Sequence, residues 1–256
     1  LNNDQSRILW DDRKRYLLSP DRYTEVIAKD PIRRIFADYY KFWRSTRESI
    51  NYLDLGCGDC RGTRTFANFL KKNSGIETNA FGVDSSRKCE NSCKELGVNF
   101  RQADLGSEDI PFIGFQVITL FETIEHVFNT DFLLKSIRKS ISKDGIFLVS
   151  TLNVVSWKNR ILVPLGIQPL NTEVSTKKLS YGFRLKSLKK RVDFWQPAGH
   201  IRPFTLHSLC DILEDNGFSV IKSFGLENWP AFKFLEHLAK NMCSGILVAA
   251  RPKNSL

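Results

Sequence analysis

The stretch Asn51-Tyr52-Leu53-Asp54-Leu55-Gly56-Cys57-Gly58-Asp59-Cys60-Arg61-Gly62 decides the fold. It opens with a short apolar run of strand character and continues into a turn rich in glycine. From Thr63 onward Phe66, Ala67, Phe69 and Leu70 recur with helical spacing. The order is strand, glycine turn, helix. A turn as tight as Gly56-Cys57-Gly58 lets backbone approach a bound molecule where a side chain would block it, and the helix after it begins with N–H groups that no earlier turn satisfies. A polar or anionic part of a ligand belongs there.

Outward from this point the unit repeats. Residues 80–84 form a second strand that ends in Asp84, a helix is predicted over 86–96, and 98–104 is a third strand ending in Asp104. The run Phe115-Gln116-Val117-Ile118-Thr119-Leu120-Phe121 is continuously apolar in character, as expected of a central strand buried on both faces. A helix over 131–141, a turn over 142–145 and a fifth strand over 146–150 follow. Strands alternating with helices imply a parallel sheet with right-handed crossovers. The alternation lapses after Thr151, an interruption too long for an ordinary connection. It resumes with a helix over 205–216 capped by Thr205 and stopped at Gly217, a strand over 218–224, a helix over 231–240 and a last strand over 246–250. Upstream, residues 4–47 read as two or three helices interrupted at Ser19-Pro20 and Asp30-Pro31. The predicted fold class is α/β: a doubly wound, mostly parallel seven-stranded sheet of the Rossmann-like type. Its parts are an N-terminal helical extension over 1–47, a cofactor-binding half over 48–150, an inserted lid over 151–203 and the rest of the same domain over 204–256.

Composition agrees with one sizeable core: 42% of the 256 residues are hydrophobic, which argues against disorder. The formal charge of +10 is concentrated, since the segment between Trp157 and Arg202 holds ten Lys and Arg against Glu173 and Asp193 alone. Such a segment suits a phosphate-bearing acceptor, a nucleic acid or an anionic membrane surface, or is simply a solvated excursion. The six cysteines, Cys57, Cys60, Cys89, Cys93, Cys210 and Cys243, do not resemble a disulfide scaffold. Cys57 and Cys60 have the spacing of a redox or zinc pair, but Cys89 and Cys93 fall on a predicted helix rather than in a second knuckle. No apolar run is long enough to span a bilayer and no leader pattern is visible, so a cytoplasmic location is expected.

Three acids define the ligand expected at the turn. Asp54, two residues before the first glycine, disfavours a pyrophosphate but suits a ligand ammonium, directly or through water. Asp84 can hold two ribose hydroxyls, and Asp104 can accept from an adenine amino group. S-adenosylmethionine (SAM) has an ammonium, a ribose and an adenine to match.

Here the chain resembles the class I SAM-dependent methyltransferases, over about residues 48–250. The resemblance rests on Leu53-Asp54-Leu55-Gly56-Cys57-Gly58, Gly82-Val83-Asp84, Gln102-Ala103-Asp104, the run from Thr119 through Glu122, Glu125 and His126 to Val127, and Asp144-Gly145 with the strand after it. It is similar in particular to the methionine-protein-W-like and ubiquinone-type groups. The resemblance implies that Asp54, Gly56, Cys57 and Gly58 hold the methionine moiety, Asp84 and Ser85 the ribose, and Asp104 and Leu105 the adenine. Phe121 completes the expected cofactor set, with S-adenosylhomocysteine as product. Two positions depart from the family pattern: Cys60 stands where a third glycine is common, and Gln116 where an acid is usual.

Methyl transfer from a sulfonium is an in-line displacement, so a base is needed only for a poorly ionised hydroxyl or amine. His126 is the preferred candidate and His200 the second. Glu122, Glu125, His126 and His200 also form an alternative divalent-metal set, similar to that of small-RNA 3′-terminal 2′-O-methyltransferases; metal dependence is not the favoured reading. The insert carries Gly166-Ile167-Gln168-Pro169 and Gly199-His200-Ile201-Arg202-Pro203-Phe204-Thr205, which resemble a lid found in methyltransferases of polysaccharide and lipid-linked glycan pathways. Trp157, Tyr181, Phe183, Phe194 and Trp195 either wall the acceptor pocket or fill a satellite core. The expected activity is O-methylation of a small or carrier-linked acceptor such as a sugar, with peripheral membrane contact open. The rivals are an RNA 2′-O-methyltransferase, a non-catalytic binding module and a nicotinamide-dependent oxidoreductase.

Overall fold

A computed structural model describes residues 20–169, 171–184, 186–192 and 197–253. Two helices, α1 (Pro20–Ala28) and α2 (Asp30–Thr46), lead into β1 (Ser49–Leu55) and α3 (Arg61–Ser74). Then come β2 (Glu77–Asp84), α4 (Glu90–Glu95), β3 (Asn99–Gln102), β4 (Phe115–Phe121), α5 (Thr130–Ser140) and β5 (Ile141–Leu152). The insert contributes α6 (Trp157–Leu162) and α7 (Lys186–Val192). The chain closes with α8 (Leu206–Asp215), β6 (Phe218–Leu226), the short α9 (Leu235–Leu238) and β7 (Gly245–Pro252).

The strands form one seven-stranded sheet in the order β3-β2-β1-β4-β5-β7-β6. β1 pairs in parallel with β2 and β4, and β4 with β5, whereas β7 runs antiparallel between β5 and β6. The strand order reverses between β1 and β4. Loops leaving the carboxyl ends of these strands therefore frame a crevice, the place where doubly wound sheets bind ligands.

All seven residues of β4 are buried, as its apolar run predicted. One face of the sheet packs Tyr23, Phe36, Trp43 and Phe66, and the other packs Leu133, Ile137, Leu209 and Leu213. Polar caps fix the helix starts: the Asn129 side chain accepts from the Phe132 N–H at α5, and Thr205 forms a reciprocal capping box with Ser208 at α8. The N-terminal helices are anchored to the sheet, since Arg47 grips Asp144 at 2.9 Å through both carboxylate oxygens and Trp43 Nε1 donates to the same group at 3.2 Å.

Two local expectations change. The turn expected over 142–145 lies inside β5, in the irregularity where Phe115 pairs with Ile141 but Val117 pairs with Ile146. The helix expected over 231–240 is broken into short pieces around α9. Pro230 starts a 3₁₀ turn there, and the Glu236 carboxylate accepts from the Glu227 N–H instead of leaving the segment to its own ladder. Of the helices expected before Arg47, those within 4–19 lie outside the described residues.

Candidate active site

The glycine turn is built by its strands. Gly56 and Cys57 donate their N–H groups to the Val83 carbonyl at 2.8 and 3.2 Å, which folds the turn over the end of β2. Gly56 (φ 72°) and Gly58 (φ 51°) sit in the left-handed region. A Cβ on Gly56 would collide with Thr123 Oγ1, so the turn touches the loop that carries Glu122, Glu125 and His126.

Asp84 ends β2 with its carboxylate half-buried beside the turn. One oxygen accepts from the Gly58 N–H at 3.0 Å and the other from the Ser86 N–H at 2.9 Å. An ionised carboxylate has about four acceptor positions, so these bonds orient the group without exhausting it. Asp104 is similar: Oδ1 accepts from the Gly106 N–H at 2.9 Å, and the next residue, Leu105, is buried. Ser85 is half-buried, and its carbonyl accepts from Gln102.

Asp54 and Phe121 are placed differently from expectation. Asp54 is fully buried, and its oxygens accept from Tyr23 Oη at 2.7 Å, Thr63 Oγ1 at 2.5 Å and Thr119 Oγ1 at 2.6 Å. Burial raises its pKa to about 6 against the pull of those three hydroxyls. In this arrangement it anchors the turn to α1, α3 and β4 from below. Phe121, also fully buried, packs against Tyr23 and Phe66 beneath the crevice. Nothing near Asp54 in sequence signals Tyr23, whose ring also occupies the space that a side chain on Gly62 would need.

Cys60 explains its own departure from glycine. It holds φ 62° at the start of α3 and is bridged to Cys93 of α4, so the expectation of ordinary unbridged cysteines fails here. Residues 33 apart carry no local sign of pairing. Cys57 is a buried free thiol, and its sulfur lies within 4.8 Å of both bridged ones. Gln116 is a structural replacement: its side chain accepts from the Asn51 N–H and donates to the Gly114 carbonyl and to Ser142 Oγ.

The insert returns to the crevice at His200. Side-chain ligand atoms of Glu125, His126 and His200 all lie within 4.8 Å of one another, and the two imidazoles stack with centroids 5.0 Å apart. His126 Nδ1 is 3.1 Å from the Gly199 carbonyl, which can only accept, so Nδ1 carries a proton. Glu173, which in the sequence is only one of two acids in a basic segment, lies 3.0 Å from His200 Nδ1 and accepts the Ala198 and Gly199 N–H groups at 2.6 Å each. Burial pushes its carboxyl up, but the imidazole and the two backbone donors outweigh this and hold it below its usual range. Glu122 stands apart from the cluster: at φ 47° it accepts from Ser150 Oγ at 2.9 Å. Of the expected wall, Trp157 packs on Phe232, Phe183 is buried, Tyr181 is exposed, and Phe194 and Trp195 lie outside the described residues.

A family model described as a methyltransferase domain matches residues 22–223. The chain belongs to the methyltransferase-domain family. Solved structures of methyltransferases share its fold at low sequence identity. A SAM-dependent methyltransferase from Clostridium acetobutylicum is 13% identical with a TM-score of 0.55, covering 91% of this chain and 92% of that one. A possible histamine N-methyltransferase from Thermotoga maritima is 16% identical with a TM-score of 0.54, covering 96% and 100%. PKMT2 from Rickettsia typhi, solved in complex with AdoHcy, is 16% identical with a TM-score of 0.51, covering 82% of this methyltransferase and 50% of that chain. No curated protein matches significantly. Among the described residues no helix is long and apolar enough to cross a membrane.

Proposed function

We propose that this methyltransferase methylates a hydroxyl of a small or carrier-linked acceptor, with a sugar or lipid-linked glycan as the class that best suits its basic insert. The observation that carries the reading is the meeting of His126, from the loop after β4, with His200, from the insert, beside a carboxylate on each: Glu125 and Glu173.

The crevice fits SAM in its chemistry. Left-handed glycines bare the backbone at residues 56–58, and the Asp84 and Asp104 carboxylates are held at the strand ends by backbone N–H groups. Asp84, with Ser85 beside it, would hold the ribose hydroxyls and Asp104 with Leu105 the adenine; Gly56, Cys57 and Gly58 would face the methionine end. Asp54 supports that end from one layer below. Bound SAM supplies an electrophilic sulfonium methyl. The chain's part is alignment and proton removal. With SAM bound, His126 Nε2 would take the acceptor's hydroxyl proton as the methyl passes from sulfur to the acceptor oxygen, giving the ether, S-adenosylhomocysteine and a protonated imidazole. Glu125, close to His126, and Glu173, beside the stacked His200, supply negative charge around the imidazole that receives the proton.

A second reading has its own support. One carboxylate and two imidazoles with mutually close ligand atoms suit a divalent cation that grips two hydroxyls of an RNA 3′ end, and the same Nε2 lone pair serves as its ligand. Labelled SAM offered with glycans, lipid-linked sugars, quinone precursors and short RNA, with and without a chelator, separates the two. Chelator-insensitive transfer to a glycan hydroxyl supports the first. Transfer to RNA abolished by the chelator and restored by a divalent ion replaces it with the second.

A further inference from the structure

The outer side of the insert carries a surface that the methyl-transfer chemistry does not use. α6 begins with Trp157, whose ring stacks on Phe232 at 4.0 Å and meets Trp229 edge-on at 5.8 Å. The fully buried Glu227 carboxylate fastens this junction, accepting from Trp157 Nε1, from the Trp229 N–H and from Ser244. Two segments distant in sequence, 157–165 and 229–238, are thereby joined into one platform. Its outward groups are apolar: Ile161, one helical turn beyond Trp157, with Val163 and Leu165 on the first segment, and Trp229, Phe234 and Leu238 on the second. Each is more than half exposed, and Leu238 reaches 80%.

Charge identifies what covers it. Lys158 lies over the Trp229 ring at 5.0 Å, and Arg160 and Lys233 are exposed nearby in sequence. The first segment has no acid. In the second, Glu236 is held by Lys29 at 2.7 Å and Lys233 at 3.4 Å. Across 157–192 the sequence has nine Lys and Arg against Glu173 alone, and Glu173 is turned inward onto His200. Aliphatic tips, a tryptophan, and the cations Lys158 and Arg160 on a segment without acids, Lys158 lying over the Trp157 and Trp229 rings, form the pattern of an interfacial membrane contact. A nucleic acid would use the cations and the aromatic rings, but offers nothing to Ile161, Val163, Leu165 or Leu238.

We propose that this face docks the methyltransferase on an anionic lipid bilayer, with the six apolar groups entering the headgroup boundary and the cations meeting lipid phosphates. The platform does not include the Glu125–His126–His200 cluster, so docking and methyl transfer are read independently, and failure of one leaves the other standing.

The test is flotation of the full chain with phosphatidylcholine vesicles, with and without phosphatidylglycerol, read alongside tryptophan fluorescence. Binding is expected to anionic vesicles at least about tenfold more tightly than to neutral ones, with a blue-shifted emission. The exposed pair Ile161→Ser and Leu165→Ser should weaken it about tenfold with thermal melting unchanged, and Arg160→Glu should weaken it further at low salt than at high. Equal affinity for neutral vesicles, or no vesicle binding, overturns the proposal. So does self-association that Leu238→Ser abolishes, or short-RNA binding that survives the Ile161 and Leu165 changes while vesicle binding is absent.

Discussion

Glu173 and His200 lie 27 residues apart within the insert and meet at 3.0 Å, Oε1 to Nδ1, while the same carboxylate takes the N–H groups of Ala198 and Gly199. One acid thus closes the insert on itself and presents His200 to His126. Glu173→Ala leaves two backbone donors without their acceptor and should cost about 2 kcal/mol of stability. Glu173→Gln should keep most of that stability but lower methyl transfer about tenfold or more, with a shifted pH profile. Because the carboxyl is held below its usual range, its contribution is present above the ordinary glutamate pKa and is lost as pH falls through the lowered value. Melting of wild type and Glu173→Gln across acid pH reads this directly.

His126 tests the base. His126→Ala should reduce kcat by about 10²- to 10⁴-fold with S-adenosylhomocysteine affinity unchanged by calorimetry. Unchanged turnover would remove His126 from the mechanism.

Asp84 tests the cofactor crevice. Asp84→Asn keeps the shape but forfeits charge-assisted acceptance, so affinity for S-adenosylhomocysteine should fall about tenfold to a hundredfold. An unaltered Kd would mean that the ribose lies elsewhere.

Asp54 gives a pH signature of the fold itself. Its folded pKa of about 6 exceeds the unfolded value, so its contribution to stability is complete below about pH 4 and is lost as pH rises through about 6. The melting temperature of wild type relative to Asp54→Asn should therefore decline between about pH 5 and pH 7. A difference independent of pH would show that Asp54 does not titrate there.

The bridge between Cys60 and Cys93 ties the start of α3 to α4. Closing a loop of that length is worth about 3 to 4 kcal/mol, so a strong reductant should lower the melting temperature by about 10 °C and leave Cys93→Ser unaffected.

Local pattern carried the fold. Residues 51–62 announce strand, turn and helix by themselves; β4 shows its burial in seven successive residues, and Asp84 and Asp104 mark strand ends, so the strands and the turn that frame the crevice were legible. These signals survive in a bare sequence because strand, turn and helix periodicities act over a few neighbouring residues. The identity of Asp54's partners, the bridge from Cys60, the clamp at Glu227 and the pairing of Glu173 with His200 depend on contacts between residues far apart in the chain. Nothing in the spacing of Glu122, Glu125 and His126 says that Glu122 turns to Ser150 while the other two meet His200. Chain order fixed the strands and their acids; only three-dimensional packing, which sets how far each carboxylate lies from water and from its donors, decided that Asp54 is buried among three hydroxyls while Asp84 and Asp104 stay half-buried at their strand ends.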